Sequence, residues 1–324
     1  MKKTVSLFLS AALLLVLCAC GTSPASPGDA SSTDTKFSVV ATIFPLYDWT
    51  LRLTEDVSAA DTALLMDSGV DMHSFQPSAA EIMRVASCDL FIYVGGESDA
   101  WVADALAEAV NPDMVALNLM DILGDLRREE ERVEGMTPGE DEEEDAYDEH
   151  VWLSLKNARI FCAAIADALA ALDPENADKY GENLNAYDAE LTDLDARYQA
   201  AVDSAAYDTL LFGDRFPFLY LTEDYGLSYY AAFPGCSAET EASFQTVAFL
   251  SGKLDELSLP AVMVIDGSDS RIAQTIIDNT VDKSAAILTL DSMQSVTAAD
   301  AAAGAGYVDI MDKNLTVLAQ ALNG

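Results

Sequence analysis

Histidine and positive charge are both scarce in this chain. Its 324 residues include two histidines, and 17 Lys and Arg stand against 55 Asp and Glu, for a formal net charge of -38. So acidic a surface excludes nucleic acid and an anionic membrane surface as partners, since both are held by basic side chains. It suits a protein that attracts cations. The two histidines stand at 73 and 150, which excludes a His-Glu-x-x-His hydrolase helix. Cysteine is also sparse. Beyond Cys18 and Cys20 near the start, only Cys88, Cys162 and Cys236 remain, an odd number without paired spacing that implies no disulfide framework. No long hydrophobic run is present either. Val5 to Leu17, interrupted by Ser6 and Ser10, is too short for a permanent membrane-spanning helix.

That short run, preceded by Lys2 and Lys3, reads instead as the core of a signal peptide over residues 1–20. It ends in Leu17-Cys18-Ala19-Cys20, which resembles the bacterial lipobox; the resemblance implies acylation of Cys20 as the mature N-terminus. Residues 21–36 are rich in Ser, Thr, Pro, Gly, Ala and Asp and are expected to form a flexible tether. The body then alternates strand-like and helix-like segments twice over. Strands are expected at Phe37–Phe44, Thr62–Met66, Leu90–Val94 and Met114–Leu117, then at Thr209–Phe212, Ser228–Phe233, Ala261–Ile265 and Ala286–Leu290. The fold class is therefore α/β, with two lobes, 37–173 and 207–324, whose parallel sheets are covered by helices.

One long rigid helix is expected to join the lobes, in the linking segment 174–206. Ala177, Tyr180, Leu184, Tyr187, Leu191, Leu194, Tyr198 and Val202 recur at spacings of three and four and mark one helical stripe. Asp173 is placed to cap it, with Pro174 at the first helical position. From Pro174 to Ala205 such a helix would be about 45–50 Å long. Residues 129–149 form an acidic loop, including the unbroken run Glu140 to Asp145. A run of this kind is a solvated loop or a weak cation collector, and it lacks the glycine and spaced ligands of an EF-hand.

His73 follows an expected strand, in Gly69-Val70-Asp71-Met72-His73-Ser74-Phe75-Gln76-Pro77, and His150 closes the acidic loop, in Asp148-Glu149-His150-Val151-Trp152-Leu153-Ser154. These segments resemble the paired His motifs of the zinc- and manganese-binding solute-binding lipoproteins of ABC importers. Ala41-Thr42-Ile43-Phe44-Pro45-Leu46-Tyr47-Asp48, Tyr225-Gly226-Leu227 and Thr289-Leu290-Asp291 carry the resemblance along nearly the whole chain. It implies a monomeric, extracytoplasmic, membrane-anchored carrier that is not an enzyme, with one metal in the inter-lobe cleft and a cognate ABC permease as partner. His73, His150 and Asp291 carry over as ligands.

The chain departs from the family pattern at the third ligand. Ten residues before Tyr225, where a His or Glu is expected, stands Arg215, whose guanidinium has no lone pair to offer. Two readings are open. Asp214 supplies the oxygen while Arg215 braces a carboxylate, or Asp214 and Arg215 form a structural ion pair and water completes a three-ligand site. Glu239 and Glu241 are candidates to hold an imidazole N–H, against a place in the first turn of a helix. Asp266 ends another expected strand. Zinc is favoured over manganese by raw affinity, although two His with two carboxylates is the pattern that resembles manganese binders. The rival functions are a metal-containing surface adhesin or scaffold and a metallohydrolase.

Overall fold

Two four-stranded parallel sheets organise the chain in a computed structural model that describes residues 36–137, 146–237 and 241–324. The first lobe runs β1 (Phe37–Ala41), α1 (Phe44–Leu53), β2 (Ala60–Leu64), α2 (Ala79–Ser87), β3 (Leu90–Tyr93), α3 (Val102–Ala107), β4 (Val115–Asn118), α4 (Leu119–Leu123) and α5 (Leu155–Leu172). The link is α6 (Ala177–Asp203). The second lobe runs β5 (Thr209–Phe216), α7 (Leu219–Tyr225), β6 (Ser228–Pro234), α8 (Phe244–Leu257), β7 (Ala261–Ile265), α9 (Arg271–Asp278), β8 (Ala286–Leu290), α10 (Ala298–Ala302) and α11 (Tyr307–Ala321). Strand order is β2-β1-β3-β4 in one sheet and β6-β5-β7-β8 in the other. Both orders reverse beside the first strand of the lobe, which creates a crevice at the strand C-termini. The central strands are largely apolar, as Ala-Val-Met-Val-Ile of β7 illustrates, because helices cover both faces.

The joining helix differs from expectation at its start. Pro174–Asn176 form a 3-10 turn, and Asp173 makes no cap to a backbone N–H; its carboxylate accepts from Asn176 Nδ2 at 2.7 Å and from the Tyr180 hydroxyl at 2.9 Å. The α-helix that follows spans 27 residues, about 40 Å at 1.5 Å per residue. Tyr180, Tyr187, Leu191, Leu194 and Tyr198 of the expected stripe are buried along it. Its ends are tied to opposite lobes. Asn183 donates to the carbonyls of Leu53 and Glu55, while the Tyr198 hydroxyl donates to the carbonyl of Met311 at 2.6 Å.

One strand is longer than expected, with consequences for the site. β5 continues to Phe216 through an irregularity between Phe212 and Arg215, so Asp214 and Arg215 lie within the strand rather than in a turn after it. Phe216, Phe218 and Tyr220 are buried in the main core. The leader, Cys20, the tether through residue 35, the acidic run 138–145 and Glu239 lie outside the described residues. The flanks of the acidic run are described: Glu129 pairs antiparallel with Tyr147, and the Thr137 N–H reaches the Ala232 carbonyl of the second lobe. Cys88, Cys162 and Cys236 are free thiols. Among the described residues no helix is long and apolar enough to cross a membrane.

Candidate metal site

Two Asp-x-His segments build the centre of the site by the same local device. Asp71 lies two residues before His73 and its side chain accepts the His73 N–H at 3.0 Å; Asp148 accepts the His150 N–H at 2.8 Å. An aspartate that binds the backbone two residues on makes a tight turn, and here each turn presents an imidazole. The first turn follows β2, and the second leads into a 3-10 turn at Val151–Leu153 and then α5.

The two imidazoles meet edge to edge, with 3.2 Å between their Nε2 atoms. The outward nitrogens have their own partners. His73 Nδ1 lies 2.7 Å from the Ser98 hydroxyl and 3.7 Å from Glu149 Oε2; His150 Nδ1 lies 3.2 Å from Asp148 Oδ1. With Nδ1 protonated toward these acceptors, both Nε2 atoms keep their lone pairs for a ligand. Burial and the neighbouring His150 push the His73 pKa down to about 3, against the pull of Asp71, and Arg215 adds to the depression. A neutral imidazole is the form that ligates a metal. For ligand bonds of about 2.0–2.1 Å, a tetrahedral ion separates two nitrogens by about 3.3 Å. The observed spacing matches one edge of such a tetrahedron.

A third donor lies beside this pair. The Cys236 sulfur and the two histidine nitrogens all fall within 4.8 Å of one another. Among the described residues no Asp or Glu joins this group. The Gly235-Cys236 turn follows β6 and presses on the His150 ring: a Cβ on Gly235 would sit 3.2 Å from His150 Nδ1 and 2.8 Å from the Phe216 carbonyl. The Cys236 N–H donates to Glu130 Oε1 at 2.8 Å. Burial, then the charges of Asp148, Glu130 and Glu149, hold the thiol well above its ordinary value.

The aspartates are placed otherwise. Asp214 turns back on its own sheet, where its carboxylate accepts the Arg215 N–H at 2.9 Å and the Ile265 N–H at 3.4 Å. Arg215 reaches across the cleft to Asp71 at 2.6 Å. Against burial, Arg215 and His73 hold Asp71 below its ordinary range. Asp214 and Arg215 therefore do not pair through their side chains; the guanidinium braces the carboxylate that shapes the His73 turn. Asp291 follows β8, accepts the Met293 N–H at 2.8 Å, and is pushed up to about 6 by burial and the charge of Asp266. Asp266 itself accepts from the Ser292 N–H and hydroxyl and from the Ser295 hydroxyl, holding the loop after β8. Glu241 is exposed and precedes α8, whose N-cap is Ser243, so it stands outside the first helical turn.

A cleft of about 510 Å³ lies between the lobes, lined among others by Asp71, Asp214, Arg215, Ser237, Asp266 and Ser292. The histidines and Cys236 adjoin it through Asp71 and Ser237 rather than lining it. Sequence reasoning missed Ser98, Asp148, Glu149 and Cys236. Asp148 and Glu149 were signalled by adjacency to His150. Cys236 was signalled by its place just past a strand end in a parallel sheet, where ligands bind. Ser98 carried no signal.

Known proteins share this arrangement of lobes. The family model described as zinc-uptake complex component A, periplasmic, matches residues 39–321. The high-affinity zinc uptake system protein ZnuA of Bacillus subtilis is 30% identical over 321 residues, covering 99% of this chain and 98% of that protein. The zinc-binding lipoprotein AdcA of Streptococcus pneumoniae is 28% identical over 323 residues; the match spans 98% of this chain but 61% of AdcA. The Zn(II)-bound ZnuA-like domain of AdcA superposes with a TM-score of 0.70 at 25% identity, covering 89% of this chain and all of that domain. The metal-dependent lipoprotein YcdH of Bacillus subtilis gives 0.71 at 27% identity, covering 89% of this chain and all of that one. With nearly the whole described body matched, this chain belongs to the family of zinc-uptake complex component A.

Proposed function

We propose that this chain captures a zinc ion between its lobes and hands it to the permease of an ABC importer, outside the cytoplasm, as a monomer tethered to the membrane through an acylated Cys20. The observation that supports zinc capture most directly is the 3.2 Å approach of the two Nε2 atoms, each freed for a cation by a partner on Nδ1. Outer partners of this kind set the tautomer and the ring orientation. Asp291 is the carboxylate that closes on the ion from the second lobe. Burial and the charge of Asp266 raise its pKa against the Met293 N–H and Lys313, and a cation held beside it would favour the ionised form. No step of catalysis is proposed, and manganese stands second to zinc because raw affinity favours zinc at nitrogen and oxygen donors alike.

Zinc titration of the metal-depleted full-length chain tests this reading. One ion should bind tightly. His73→Ala or His150→Ala should weaken binding by about 100-fold or more, since even outer partners of a ligand are worth about 10–100-fold. Asp291→Asn should cost about 10–100-fold. Wild-type affinity in either histidine variant would overturn the site.

A further inference from the structure

We infer that the Cys236 sulfur is a ligand to the captured ion, taking over just after β6 the donor role that Arg215 cannot fill on β5, and that it makes the site selective for thiophilic divalent cations. The inference rests on the zinc-capture reading above and names the donor that reading leaves open. Its warrant is geometric. The sulfur and the two histidine nitrogens form the group of potential ligand atoms lying within 4.8 Å of one another among the described residues. With bonds of about 2.3 Å to sulfur and 2.0–2.1 Å to nitrogen, a tetrahedral ion separates S from N by about 3.6 Å. The thiol therefore has at most about 1.2 Å to travel, within reach of a side-chain rotation.

The surroundings place the sulfur deliberately. Gly235 lets the turn lie against the His150 ring where any Cβ would collide with the Phe216 carbonyl. The Cys236 N–H is held by Glu130, and the next carbonyl, of Ser237, accepts from Arg215 Nη1 at 3.4 Å. Arg215 thus stabilises both turns that carry donors: that of Cys236 through Ser237, and that of His73 through Asp71. Strands β5 and β6 are adjacent and parallel, with Arg215 in register with Phe233, so the donor moves one strand across the same end of the sheet.

On binding, the S–H bond breaks, the proton leaves to solvent, and the sulfur lone pair forms the metal bond. Two neutral imidazoles, one thiolate and the Asp291 carboxylate together carry -2 and offset the ion. A thiolate is a poor ligand for hard Mn²⁺ and a good one for Zn²⁺ and Co²⁺. Selectivity against manganese follows from this donor.

Cobalt(II) substitution of the metal-depleted full-length chain reads the donor directly. The cobalt form should show a near-ultraviolet thiolate-to-cobalt charge-transfer band and the visible bands of a tetrahedral ion. Cys236→Ser should lose the thiolate band, weaken zinc binding by about 100-fold, and leave manganese affinity within a few-fold. Bound zinc should also protect one thiol of the wild type from alkylation. Tight cobalt binding without the thiolate band overturns the inference while leaving zinc capture intact, and so does a Cys236→Ser chain with wild-type zinc affinity. Failure of the wild type to bind either metal, or retention of both in His73→Ala, overturns zinc capture and the inference together. Because the band is read on the wild type, a poorly folding variant does not blunt the test.

Discussion

At the scale of single residues, buried charge is concentrated where it serves geometry or cargo, and one instance has a measurable cost. Asp48 is buried on α1, where it accepts the Tyr307 N–H at 3.1 Å across the lobe boundary. Burial raises its pKa from 3.8 to about 6, and the charge of Asp309 adds to the rise against Arg52 and the Tyr307 N–H. Between these two values the folded chain holds a proton that the unfolded chain has lost. Stability therefore falls as pH rises from about 4 to 6, and the ionised carboxylate costs on the order of 2–3 kcal/mol at neutral pH. Asp48→Asn keeps an acceptor for the Tyr307 N–H and removes the charge. It should raise unfolding free energy at pH 7 by about 2 kcal/mol and reduce the fall in stability between pH 4 and 6 by the same amount, Asp99 and Asp291, also raised to about 6, keeping their shares. Urea melts across that range check it. A variant no more stable than wild type at pH 7 would show that the carboxylate is adequately solvated where it sits.

Among the elements, the ends of the strands decide the chemistry. β2, β6 and β8 run into loops bearing His73, Cys236 and Asp291, the proposed donors, whereas β5 offers none because Arg215 points to Asp71. The turn after β6 is closely packed, with the Phe216 carbonyl and the His150 ring against Gly235. Gly235→Ala would force its new methyl against the Phe216 carbonyl and the His150 ring. It should destabilise the metal-free chain by about 1–3 kcal/mol, the usual cost of overpacking. It should also weaken zinc binding about tenfold by moving Cys236 and tilting His150. Unfolding melts and zinc titration on the same preparation separate the two effects. Destabilisation without loss of affinity would mean that the turn supports the fold but does not set the site.

For the whole molecule, several ties cross between the lobes and limit how far they can part. Trp152 donates to the Ser292 carbonyl at 2.9 Å, and Tyr307 donates to the Trp152 carbonyl at 2.7 Å. The Tyr220 hydroxyl donates to the Asp148 carbonyl, and Thr137 on the flank of the acidic loop pairs with Ala232. The joining helix is fastened to both lobes, and its tyrosines belong to a hydrophobic core that is continuous between them. Opening by a wide hinge would break these contacts together, whereas loop motion at His73, Cys236 and Asp291 breaks few. Small-angle scattering of the metal-free and zinc-loaded chain should give radii of gyration that agree within error. A clear compaction on zinc binding would show a hinge that these contacts do not restrain.

The order of elements, the parallel sheets and the buried stripe of the joining helix were legible in the sequence, because they follow from local apolar periodicity and from turn residues at fixed spacing. The two histidines were legible for the same reason: each Asp-x-His turn is built within a few residues. Which other side chains approach the imidazoles was not. That Arg215 spans the cleft to Asp71, that Asp214 folds back onto its own sheet, and that Cys236 rather than an aspartate lies beside the imidazoles depend on how far β5 extends and where β6 delivers its turn. Neither is encoded in a local pattern. Periodicity and short turns are set by neighbours along the chain, while the side chains that distant segments bring beside the imidazoles are set by the approach of two sheets, which only the folded chain decides.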